Sequence, residues 1–181
     1  MAVLAEAISV VIKLDKLLEA FEGNWPAFAA TVPNATLCAD TQLARVGFMR
    51  PEAAKDFVLS LEQRGLTYLN DGKAQDIVVV DQIRGPMSAC GWIEFGQVNL
   101  DGNPSTRVAM CRLAGSTLTN IACPNDWTFA ESLSATFGFV PTAQKDRSLR
   151  FLRRDNGLDV YFNPLTGQEV FVAAQKSGPS Q

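Results

Sequence analysis

One stretch of this sequence carries a long apolar stripe at helical spacing, and the chain after it carries shorter strand-like runs. In RPEAAKDFVLSLEQRG, residues 50–65, Pro51 stands at a first helical position and Glu52 complements the positive end of a helix dipole. Ala54, Phe57, Val58 and Leu61 recur at helical spacing, and Gly65 ends the run. The pattern predicts a helix over about 51–64 whose stripe enters the main core. Downstream, short β-branched and aromatic runs are separated by turn residues: DIVVVDQI (76–83), WIEFGQVN (92–99), RVAMCRLA (107–114), STLTNIAC (116–123) and SATFGFV (134–140). A last pair, GLDVYFN and QEVFVA around the turn NPLTG, reads as a hairpin, with Leu158, Val160 and Phe162 on one face and Val170 and Val172 available from the partner strand.

Upstream, AISVVIKL (7–14) and ARVGFM (44–49) read as strands. Between them Asp15 is placed to cap a short helix carrying Leu17, Leu18 and Phe21 and stopped by Gly23, and Pro26 opens one further helical turn. Strands outnumber helices and do not alternate with them regularly. The expected fold class is therefore α+β: a single domain, mainly antiparallel β-sheet, with one well-formed helix and one or two shorter N-terminal helices. The 181 residues suit one globular domain over 1–175, with 176–181 as a disordered tail.

Composition removes several function classes. With 47% apolar and 19% charged residues the chain can bury a real core. A net charge of −3 is a poor match for nucleic acid. The N-terminus lacks a basic region before its apolar stretch, which Glu6 interrupts, and no apolar run approaches membrane-spanning length; the expectation is a cytoplasmic protein with no membrane contact. Cys38, Cys90, Cys111 and Cys123 show no CxxC pairing, and there is no histidine. Free thiols, no metal and no cofactor are expected. Without histidine, Ser-His-Asp and Cys-His catalysis from this chain alone is excluded.

Charge is unevenly spread. Residues 1–40 hold Glu6, Asp15, Glu19, Glu22 and Asp40 against Lys13 and Lys16, whereas KDRSLRFLRR (145–154) is strongly basic. The basic run reads first as a solvated strand face and second as an anion contact.

The segment DIVVVDQIRGPMSACGWIEFG (76–96) is the candidate site. An apolar run surfaces at Asp81 and Gln82, turns at Gly85-Pro86 and re-enters at Trp92, and polar groups gathered where a buried strand emerges are a common origin of sites. Asp81, Gln82, Arg84, Cys90, Trp92 and Glu94 are the candidate ligand or partner residues; none is assigned a catalytic role. Each has a plainer reading: Asp81 as acceptor for the following turn, Cys90 as a small buried hydrophobe, Arg84 as a structural counterion, Trp92 as core. If 76–83 and 92–99 pair antiparallel, Asp81 faces Glu94, and Arg84 is the nearest cation to form a compact cluster with both.

The elements Asp81-Gln82, Arg84-Gly85-Pro86, Cys90, Trp92 and Glu94-Phe95-Gly96, together with LCAD (37–40), ARVGFM and GLDVY (157–161), resemble a family of small uncharacterised bacterial proteins, with Gly91 where that pattern has an acidic residue. The resemblance spans most of the chain and implies a single domain; it carries no activity.

Two functions are expected on these grounds. The first is a non-enzymatic cytosolic binding protein, in concrete form an immunity-type inhibitor that covers a basic protein partner with an acidic surface. The alternative is a small enzyme or ligand sensor with a carboxylate, Arg and Cys pocket around 81–94. The sequence leaves the oligomeric state open.

Overall fold

In the computed structural model the chain changes sheet within its first eight residues. Strand β1, Ala2–Ala5, lies in one sheet and β2, Ile8–Lys13, in a second, and the bend between them falls at Glu6-Ala7, where Ala7 takes φ 49°. The structure describes residues 1–136, 150–155, 158–163 and 168–173.

After β2 come helices α1, Leu14–Ala20, and α2, Trp25–Thr31, then β3, Cys38–Ala39, β4, Leu43–Phe48, and helix α3, Pro51–Glu62. A small hairpin, β5 at Leu69–Asn70 and β6 at Lys73–Ala74, turns through Asp71 and Gly72, both at positive φ. It leads into β7, Ile77–Asp81, and the two-residue β8, Gly85–Pro86. Strands β9, Ile93–Asn99, and β10, Arg107–Leu113, come next, then β11, Ile121–Ala122, and α4, Leu133–Thr136. Strands β12, Arg150–Asp155, β13, Leu158–Asn163, and β14, Gln168–Ala173, form a third, antiparallel sheet.

The main sheets run β3-β4-β2-β7-β8 and β11-β1-β10-β9, antiparallel except for the β1–β11 pair. Strand β2 buries both of its faces. Ile8, Val10 and Ile12 pack with Leu17, Phe21 and Phe28 of the N-terminal helical region and with Ala54, Phe57, Val58 and Leu61 of α3. On the opposite face Val11, with Val78 and Val80 of β7, meets Val3, Ala5, Val108 and Cys111 of the other sheet. Helices, one sheet and a second sheet thus form successive layers. The Ile77–Val80 run is apolar on both faces because it lies between two cores.

The fold is α+β and mostly antiparallel, and α3 and its stripe lie where the spacing puts them. Other expectations change. The N-cap of α1 is Lys13; Asp15 sits inside the first turn and accepts from the Lys16 N–H. Of 116–123 only Ile121–Ala122 is strand, because the short β1 offers this edge few partners. Within 134–140, Ser134–Thr136 are helical and the remainder lies outside the described residues. The last hairpin pairs as expected, antiparallel, with Val160 opposite Phe171, Tyr161 opposite Val170 and Asp159 opposite Val172. The tail at 176–181 and the basic residues 145–149 lie outside the described residues. Among the described residues no helix is long and apolar enough to cross a membrane.

Candidate functional site

The pairing expected for 76–83 and 92–99 does not form. Strand β7 pairs with β2 and β8, whereas β9 pairs with β10 in the other sheet. The loop between them crosses from sheet to sheet, which the local sequence does not betray. Glu94 is opposite Arg112, and the Arg112 guanidinium donates to its carboxylate, Nε to Oε2 at 2.6 Å. This partner holds the Glu94 carboxyl below its ordinary range. Asp81 is buried, and its Oδ1 accepts the N–H groups of Ile83 (2.9 Å) and Arg84 (2.8 Å), closing the turn after β7. Each carboxylate thus has its own local partner, and the premise of an Asp81–Arg84–Glu94 cluster is lost. Arg84 is exposed and Cys90 packs at the margin of the inter-sheet core. Trp92 donates to the Ala74 carbonyl at 3.0 Å, with Lys13 Nζ 4.9 Å from its ring centroid.

Gln82 leads to a different place. Its Oε1 accepts from the Ala7 N–H (2.8 Å) and its main-chain N–H donates to the Ala7 carbonyl (2.9 Å), so it clamps the bend where the chain changes sheet. Positive φ at a residue with a side chain costs energy and persists where its surroundings enforce it. Ser9 clamps the same bend: its hydroxyl accepts from the Glu6 N–H and donates to the Glu6 carbonyl.

Above this bend lies a buried cation. Arg45 on β4 faces the other sheet at 2% exposure, in an otherwise apolar strand. Its Nε donates to Ser9 Oγ (2.8 Å), Nη2 to the Glu6 main-chain carbonyl (2.8 Å) and Nη1 to the Thr36 carbonyl (3.3 Å). All three acceptors are neutral. Among the described residues no carboxylate comes within ion-pairing distance of the guanidinium. Burial pushes its pKa below the ordinary value for arginine. The guanidinium fits because position 47 is glycine: a Cβ there would stand 2.5 Å from Nη2 and 2.8 Å from Cζ. Beyond the short β3, side chains replace a strand partner for Gly47. Its N–H donates to Thr36 Oγ1 and its carbonyl accepts from Asn34 Nδ2, each at 2.7 Å.

Glu6 is also buried, at 6% exposure, and its carboxylate makes its hydrogen bonds to residues other than Arg45. Oε1 accepts from the Ser134 N–H (2.9 Å) and hydroxyl (2.5 Å), and Oε2 from Trp127 Nε1 (3.2 Å). It ties the segment 124–134 to the end of the two sheets. Between this segment, the loop 34–36 and β4 lies a pocket of about 390 Å³, lined by Glu6, Arg45, Gly47, Met49 and Trp127 among others. That volume is in the range of small-molecule sites, roughly 300–1,000 Å³. Trp127, like Trp92 and Trp25, is a candidate for ligand stacking from its residue type, whereas Glu6 and Arg45 lie outside the 76–96 segment and are not among the candidates. The signal for them is a charge at an inward position of an apolar strand, LARVGF, and a lone Glu between two apolar runs.

Three of the thiols, Cys38, Cys111 and Cys123, lie near the same cation. All four cysteines are free, and burial raises Cys38, despite the neighbouring Arg45, and pushes Cys111 up to about 12 and Cys123 up to about 11. Among the described residues no group of three or more His, Cys, Asp or Glu is placed to hold a metal ion.

No family model matches the sequence, and no significant match to it is found among curated proteins or solved structures.

Proposed function

We propose that this chain is a non-enzymatic binding protein whose ligand is a small molecule held in the pocket between Glu6, Arg45 and Trp127. The observation that carries the reading is Arg45: a desolvated cation with neutral oxygen acceptors, beside a cavity of small-molecule size. Glu6 acts on Arg45 electrostatically without contacting it as an ion pair, and a buried charge left short of direct pairing is costly to maintain, so a ligand is a natural source of compensation. The polar groups around it suit holding better than proton transfer. Arginine does not give up its proton, and the Glu6 carboxylate is already engaged by three donors.

A basic protein partner has less to rest on. Of the five acidic residues in 1–40, Glu6 and Asp40 are buried, and Asp40 Oδ1 accepts the N–H groups of Gln42 and Leu43. Of the exposed acids, Glu19 is paired with Lys16.

The test is ligand-observed NMR with a small-fragment set, including neutral aromatics such as indole, on the wild-type chain and on Ala35→Trp. Ala35 is exposed and lines the pocket, so the larger side chain occludes the cavity without removing an internal bond. Binding lost in Ala35→Trp is the expected result. Fragments that bind both forms equally, or none that binds at all, would refute the pocket as a binding site.

A further inference from the structure

The pocket holds two opposite charges that its own architecture keeps apart. Arg45 and Glu6 both line it, both are more than nine-tenths buried, and neither is ion-paired among the described residues. The nearest bond between them bypasses the carboxylate: Nη2 takes the Glu6 main-chain carbonyl, while Ser134 and Trp127 hold the side chain elsewhere. Three of the five guanidinium N–H groups donate to oxygen acceptors and the Cys38 thiol is a further side-chain neighbour, which still leaves donor capacity at the terminal nitrogens. The Glu6 carboxylate accepts three hydrogen bonds and retains acceptor capacity of its own.

The charge balance selects the ligand class. Among the described residues, the charged side chains lining the pocket are Glu6, Arg45 and the exposed Glu131. A phosphate-type dianion would face one cation and two carboxylates. A simple amine would be drawn to Glu6 but would leave Arg45 uncompensated. A molecule carrying one carboxylate and one ammonium matches both buried charges. Phe48, Met49 and Trp127 supply apolar surface beside them for a side chain.

We propose that the ligand is a small zwitterion of the amino-acid class, its carboxylate on Arg45 and its ammonium on Glu6. This rests on the pocket reading above. A carboxylate meets a guanidinium in charge-assisted, directional hydrogen bonds, and an ammonium meets a carboxylate likewise. Trp127, fixed by its bond to Glu6, offers a ring face that also suits the ammonium.

Saturation-transfer NMR with each proteinogenic amino acid tests the assignment on the full chain. At least one amino acid should receive saturation from wild type and none from Ala35→Trp. Its deaminated acid and its decarboxylated amine should each bind about tenfold or more weakly, the loss of one charge-assisted contact. Glu6→Gln should narrow the gap between the amino acid and its deaminated acid, and Arg45→Met the gap to the amine. If a variant fails to fold by circular dichroism, the analogue comparison on wild type decides alone. The proposal is overturned if no amino acid binds, or if either analogue matches its parent. Where indole-type fragments still bind wild type and not Ala35→Trp, the pocket survives and only the zwitterion assignment falls. If they too fail, both fall.

Discussion

Arg45 donates from Nη2 to the main-chain carbonyl of Glu6, 2.8 Å away, and not to the Glu6 carboxylate, which bonds Trp127 and Ser134 instead. One residue therefore serves two ends of the molecule. Its main chain anchors the cation at the bend between sheets, and its side chain anchors the segment that closes the pocket.

The cation's position depends on Gly47. Gly47→Ala places a methyl 2.5 Å from Nη2 and 2.8 Å from Cζ, and the guanidinium can yield only by giving up bonds to Ser9, Glu6 or Thr36. Reduced entropy of the unfolded chain favours alanine by about 0.4–1 kcal/mol. Overpacking and lost hydrogen bonds oppose it by about 1–3 kcal/mol, so a net loss is expected in urea denaturation. In an Arg45→Met background the same change should become neutral or stabilising. A loss of the same size in both backgrounds would show that the guanidinium is not what the methyl meets.

Glu6→Gln keeps the side chain's shape and tests its hydrogen bonds. The amide oxygen can still accept from Ser134, but the amide nitrogen then faces the Trp127 Nε1–H, donor against donor. Leaving a buried donor unsatisfied costs about 1–3 kcal/mol, and the part-buried Trp127 N–H should fall toward the lower end of that range. The Trp127 environment should loosen with it, so tryptophan emission should shift to the red. Unchanged stability and emission would mean that Glu6 does not hold the 124–134 segment.

Much of the fold was legible where burial on one face imposes a period. The α3 stripe is such a case, since Ala54, Phe57, Val58 and Leu61 all enter the helix-side core. So was the run Ile77–Val80, whose apolarity on both faces reports a strand between two layers. What was not legible is which sheet a strand joins. The turn chemistry of Gly85-Pro86 and Cys90-Gly91 is as compatible with a hairpin as with a crossover, and the choice is made by distant partners: β2 for β7, β10 for β9. The candidate site shifted for the same reason. Gln82 marks its neighbourhood, through Ala7, but Glu6 and Arg45 are 39 residues apart and meet only because β1 and β2 belong to different sheets.

The buried thiols make alkaline pH destabilising. Cys111 is pushed from 9.0 up to about 12 and Cys123 from 9.0 up to about 11, in both cases mainly by burial. A raised thiol pKa favours the neutral form in the fold. Below about pH 9 both states keep their protons and no linkage arises. Above it the unfolded chain releases protons that the folded chain retains, so stability falls as pH rises from about 9 to about 12. Urea midpoints at pH 7.5 and 10 should differ in wild type and differ less in Cys111→Ala. In native protein Cys111 should also resist iodoacetamide at pH 8, read by mass spectrometry. Rapid labelling would contradict its burial.

Asp81 separates a structural from a functional role by a choice of substitution. Its Oδ1 accepts two main-chain N–H groups, from Ile83 and Arg84, and an asparagine side-chain oxygen can still accept both. Asp81→Asn should therefore leave stability within about 0.5 kcal/mol of wild type. Asp81→Ala removes both bonds at a buried position and should cost about 1–3 kcal/mol, measured by chemical denaturation. The turn it holds carries Gln82, whose bonds to Ala7 fix the bend beneath Arg45. Pocket binding should accordingly survive in Asp81→Asn and weaken in Asp81→Ala alongside the loss of stability. If Asp81→Asn retains full stability but loses ligand binding, the carboxylate charge itself is required, and the site extends to the end of β7.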